Sequence, residues 1–104
     1  MTEHSTPTDH VLDEIAAERV AQNAKWGEQN HPDGTGEAFA PAADAARDLC
    51  ERAFSAKRGN WQVILTEEAY EAFAESDPVK LRRELVQVAA VAVAWIEAID
   101  RRKS

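Results

Sequence analysis

Leu65-Thr66-Glu67-Glu68-Ala69-Tyr70-Glu71-Ala72 sets glutamates among apolar and aromatic side chains, inside a run from Trp61 to Glu75 that contains neither proline nor glycine. Projected at about 100° per residue, Trp61, Ile64, Leu65, Glu68, Glu71 and Ala72 fall on one side, which predicts a helix with acids inside its apolar face. Gly59-Asn60 breaks the chain before it, and Asn60 is suited to cap its first turn. A second acid of the same kind lies downstream. Leu81, Glu84, Val88, Val91, Trp95 and Ile99 share one face of a helix that starts at Asp77-Pro78, an N-cap acid followed by proline at the first helical position. Arg101, Arg102 and Lys103 stand at its end, where the helix dipole favours cations.

Outward from this pair, an alanine-rich helix is predicted from about Pro41 to Lys57. A first helix is predicted from a cap at Thr8 or Asp9 to about Lys25, with Val11, Leu12, Ile15 and Ala16 as its apolar stripe. Gly27 to Gly36, with Asn30-His31-Pro32-Asp33-Gly34, is turn chemistry. No segment alternates as a strand does, and there is no internal repeat. The expected fold is all-α, a four-helix bundle, with residues 1–8 a flexible tail and 9–104 a single domain. The apolar positions of the last helix run almost all the way round from Val88 to Ile96, and alanines there and in the second helix permit close approach. A chain of 104 residues can cover such a helix only in part, so a homodimer or homotetramer is expected to complete the bundle.

A formal net charge of −7 argues against direct nucleic-acid binding, which calls for a basic surface. The single Cys50 has no internal disulfide partner, which points to a reducing compartment. Met1-Thr2-Glu3-His4-Ser5 lacks the basic and apolar regions of a signal peptide, and Val88–Ile96 is too short to span a bilayer. A soluble, cytoplasmic protein without membrane contact is expected.

Glutamates on helices are ordinarily solvated. Here, antiparallel packing of the third and fourth helices across a short turn would bring Glu68, Glu71, Glu84 and Gln87 around one or two ions, with Glu67 at the border of the face. Converging carboxylates repel one another unless a cation holds them, and hard divalent cations bound by oxygen are the usual partners of phosphate chemistry. Glu97 and Asp100 fall on the opposite side of the last helix and are expected to be exposed.

Glu67-Glu68-Ala69-Tyr70-Glu71, followed by Glu84-Leu85-Val86-Gln87, resembles the signature of MazG-type all-α nucleoside triphosphate pyrophosphohydrolases, in which two consecutive glutamates and a third three residues on precede a Glu-x-x-Asp. Glu18 to Pro32, with Lys25-Trp26-Gly27-Glu28-Gln29, is similar to the N-terminal part of small MazG-like proteins of phages and actinobacteria. The resemblance covers about residues 14 to 100. It implies Mg²⁺, with Mn²⁺ as a substitute, held by Glu68, Glu71, Glu84 and Gln87. It implies cleavage of an NTP or dNTP between the α- and β-phosphates, giving a monophosphate and pyrophosphate. Glu67 and Glu68 are the catalytic candidates, ligand and base not separated within the pair. Lys25, Trp26, Asn30 and His31 are the substrate-binding candidates. Lys25 would meet phosphate or stand solvated, and Trp26 would stack on a base or pack the helix end. Asn30 and His31 would reach the nucleotide or stabilise their turn. Arg82 and Arg83 could contact phosphate, but they are better placed to offset nearby acids. Trp61, Trp95 and Cys50 are expected in the core.

Gln87 stands where that pattern has its last aspartate. Its amide oxygen can ligate Mg²⁺ but adds no charge, so a catalytically weakened nucleotide- and metal-binding regulator is the alternative reading. A third is an acidic helical interaction module without a small-molecule ligand.

Overall fold

Capping chemistry sets the helix starts. Thr6, two residues before the expected cap, accepts from the Asp9 backbone N–H, and Asp9 returns the bond to the Thr6 N–H. This capping box opens α1, Pro7–Trp26. α2 spans Ala40–Ser55 after one unexpected 3-10 turn at Glu37–Phe39. Asn60 caps α3, Trp61–Phe73, by accepting from the Val63 N–H at 2.9 Å. α4 runs Pro78–Arg102, with Asp77 accepting from the Lys80 N–H. The computed structural model describes residues 5–102, and among them there is no strand. The expected tail falls partly outside these residues, at 1–4, while Pro7 and Thr8 are already helical. The described residues are all-α with four α-helices, as the sequence predicts. No described helix is long and apolar enough to cross a membrane.

The helices divide into two compact units, residues up to Pro32 together with those from Val93 onward, and Asp33–Ala92. In the first, Val11 and Val93 are buried, but Leu12 and Ile15 of the expected apolar stripe are exposed. Glu97, expected to be exposed, is half-buried and accepts a 2.7 Å hydrogen bond from the Thr8 hydroxyl. Trp95 is half-buried rather than sealed in a core.

In the second unit α2 packs along α3. Ala43, Ala46 and Cys50 recur at helical spacing and are buried with Val63 and Ala72 of α3 and Leu81 of α4. The small side chains of α2 let two backbones approach closely. The end of α3 is tied down by the loop before α2: Gly36 N–H donates to the Phe73 carbonyl at 2.8 Å, and the Thr35 hydroxyl to the Glu75 carbonyl at 2.7 Å. The first is a carbonyl that the helix terminus leaves without an intrahelical partner, and the second lies just beyond the helix. Phe73 is flanked by Phe39 and Tyr70, with ring centroids 5.7 and 5.5 Å away. Trp61 is half-buried.

α2 ends without glycine at the position that favours it. Lys57 takes φ +60°, its N–H bonds to the Phe54 carbonyl, and the Arg58 N–H reaches back to Ala53 at 2.7 Å. This is the Schellman pattern with lysine in the left-handed residue. Gly59 follows because a Cβ there would lie 2.3 Å from the Phe54 ring. We expect Lys57→Gly to raise stability by about 1 kcal/mol, since left-handed backbone costs an L-residue roughly that much. Urea unfolding would show it as a higher midpoint with unchanged slope, and a lower midpoint would contradict this account of the turn.

Candidate metal centre

The turn Ala74–Asp77 returns the chain from α3 into α4, so that Glu68 and Glu71 on one helix meet Glu84 on the next. One carboxylate oxygen from each lies within 4.8 Å of the other two, and all three side chains are half-buried. Oxygens on opposite sides of a Mg²⁺ octahedron are about 4.2 Å apart, twice a Mg–O bond of about 2.1 Å. Adjacent oxygens of that octahedron are about 3.0 Å apart, so the three carboxylates must draw closer to share one ion. Oε2 of Glu68 and Oε2 of Glu84 are inaccessible to solvent and have no hydrogen-bond partner. A buried carboxylate oxygen without a donor is costly, and like charges close by add to the cost. The donor set is all hard oxygen, which suits Mg²⁺, Mn²⁺ or Ca²⁺ and not a soft metal.

The proton affinities follow from this crowding. Desolvation, and then the charges of Glu71, Glu67 and Glu84, push the Glu68 carboxyl above its ordinary value. Desolvation, Glu67 and Glu84 raise that of Glu71, while Arg47 draws it back down. Arg47 pairs with Glu71 at 3.7 Å through Nε and with Asp44 at 3.1 Å through Nη1.

The consecutive glutamates separate in space. Glu68 joins Glu71 and Glu84, whereas Glu67 lies outside that cluster and near enough to Cys50 on α2 to raise its thiol. Cys50 is buried, as expected, and its thiol is pushed up by burial first and by Glu67 next. Gln87 is exposed. The other candidates belong to the first unit. There Lys25 Nζ lies 4.9 Å from the Trp26 ring centre, a cation–π contact on an exposed tryptophan. His31 pairs with Gln29 at 3.1 Å, and Asn30 donates to Glu28 at 3.2 Å, which are local bonds within the turn. Arg82 and Arg83 are exposed.

Arg47 was not among the residues singled out from sequence. Its signal lay in the alanine stripe, since it stands one turn after Ala43 and next to Ala46, at the margin of the buried face. Comparison with protein-family models, curated proteins and solved structures finds no match to this chain.

Raised carboxyl values carry a stability consequence. The folded protein holds protons that the unfolded chain has released, so Glu68 and Glu71 subtract stability as pH rises from the ordinary value of 4.5 through their raised values. Without added metal, the melting temperature is expected to fall across that window. Glu68→Gln should raise it at neutral pH and flatten the slope, as followed by circular dichroism. An unchanged slope in that variant would mean that Glu68 is not crowded.

Proposed function

We propose that Glu68, Glu71 and Glu84 hold a divalent cation, Mg²⁺ with Mn²⁺ as substitute, and that the protein hydrolyses a nucleoside triphosphate between its α- and β-phosphates. The observation that carries the cation is the pair of buried, partnerless carboxylate oxygens inside a three-carboxylate cluster. The substrate class rests on the sequence resemblance to MazG-type pyrophosphohydrolases. When bound, the cation would neutralise phosphate charge and polarise the attacked phosphorus. Glu67, outside the cluster, or Glu68 within it would orient or deprotonate the attacking water. Lys25, Trp26, Asn30 and His31 are the proposed nucleotide contacts on the strength of the resemblance.

The proposed assembly is a homodimer or homotetramer. Leu85 and Val86 of α4 are 50% and 56% exposed, and such side chains gain from a partner surface. A reducing, cytoplasmic setting is proposed from the buried free thiol of Cys50.

The regulatory alternative has one specific support. Gln87 is exposed and uncharged, so the cluster has three carboxylates where the resemblance implies a fourth acid.

Pyrophosphate release from a panel of NTPs and dNTPs with Mg²⁺ or Mn²⁺ tests the enzyme. Release is expected from the wild type and is expected to be lost in Glu71→Ala. Metal at about a hundred times its dissociation constant should add about 2.7 kcal/mol of stability, read as a rise in melting temperature that Glu84→Ala removes. Metal stabilisation without any release would transfer the proposal to the regulatory alternative, and Gln87→Asp would then be expected to restore turnover. Neither stabilisation nor release would leave the acidic interaction module.

A further inference from the structure

Beside the carboxylate cluster lies a cleft of about 410 Å³. Ala43 and Ala74 leave it open by their small size, Glu71 and Glu84 form its acidic edge, and Arg47 is its cationic lining side chain. We propose that Arg47 is the phosphate-binding side chain of this cleft, gripping the diphosphate part of the nucleotide once a cation has taken Glu71. The proposal rests on the metal reading above and goes beyond it to a residue and a substrate group.

Arg47 is held loosely. Its contact with Asp44 is a surface pair, the aspartate side chain being 72% exposed, and such pairs contribute little. Its Nε lies 3.7 Å from Glu71, beyond hydrogen-bond distance. A guanidinium has more donors than these two contacts use, arranged in a planar fork that matches phosphate oxygens. The electrostatics favour an exchange. While the cluster has no cation, Glu71 attracts Arg47. A cation on Glu71 spends that carboxylate's charge and repels the guanidinium, which then faces the cleft with Asp44 alone. A polyphosphate bridging to the same cation brings negative charge to that place. Carboxylates cannot bind the phosphate oxygens that the cation leaves uncovered, whereas Arg47 can.

The test uses the full chain, with Mn²⁺ binding read by electron paramagnetic resonance and binding of Mn²⁺-imidodiphosphate, a non-hydrolysable diphosphate, read by titration calorimetry. Arg47→Met should bind Mn²⁺ alone as well as the wild type or better. It should bind Mn²⁺-imidodiphosphate about tenfold or more weakly, the loss of one charge-assisted contact. Arg47→Lys, which keeps the charge but not the fork and serves if the methionine variant folds poorly, should fall between. Asp44→Asn should bind the diphosphate no more weakly than the wild type. Unchanged diphosphate binding in Arg47→Met would overturn the proposal, as would a parallel loss of Mn²⁺ affinity and melting temperature, which marks a structural role. If the wild type binds Mn²⁺ but not the diphosphate, the Arg47 assignment fails and the metal reading stands. If it binds neither, the metal reading fails and takes the assignment with it.

Discussion

Mutual repulsion among Glu68, Glu71 and Glu84 is the constraint around which the second unit is organised. Oxygens from all three lie within 4.8 Å of one another, and Glu68 and Glu84 each have an oxygen shut off from water without a donor. Each carboxylate would be better solvated elsewhere. Their convergence is therefore imposed by the packing of the backbone that carries them, and the folded state holds charge in an unfavourable arrangement until protons or a cation relieve it. Under the proposed metal reading, a bound cation would recover what folding gave up.

The elements that impose it are local and strong. Asn60 and Asp77 start α3 and α4 at defined residues, and the intervening turn leaves little freedom in how the second follows the first. The bonds from Gly36 to the last carbonyl of α3 and from Thr35 to the Glu75 carbonyl anchor that turn from the other side. The alanine and cysteine stripe of α2 lies against α3 and brings Arg47 to the cluster's edge. One helix thus supplies both a close-packed support and the cation that tempers Glu71, which links the stability of this unit to the electrostatics of its site.

The consecutive pair Glu67-Glu68 shows how helical geometry divides chemically identical groups. About 100° of rotation sends Glu68 to the α4 side and Glu67 to the Cys50 thiol on α2. Groups that composition leaves interchangeable take distinct positions. The two neighbours thus stand in unequal surroundings, one facing two further carboxylates and the other facing a buried thiol.

The sequence by itself determined the four helices, the caps at Asn60 and Asp77, the burial of Cys50 and the meeting of Glu68, Glu71 and Glu84. These follow from 3.6-residue periodicity and from short-range hydrogen bonding, both of which are written in neighbouring positions. The box at Thr6, the 3-10 turn before α2 and the left-handed Lys57 were not legible. Each depends on which of several adequate residues or turns the surrounding packing selects. The tertiary structure alone decided that Glu67 turns to Cys50, that Glu97 takes the Thr8 hydroxyl, that Gln87 is exposed and that Arg47 leans on Glu71. The reason is distance in the chain: Thr8 and Glu97 are 89 positions apart, and no local pattern specifies a contact that only the packing of separate helices creates.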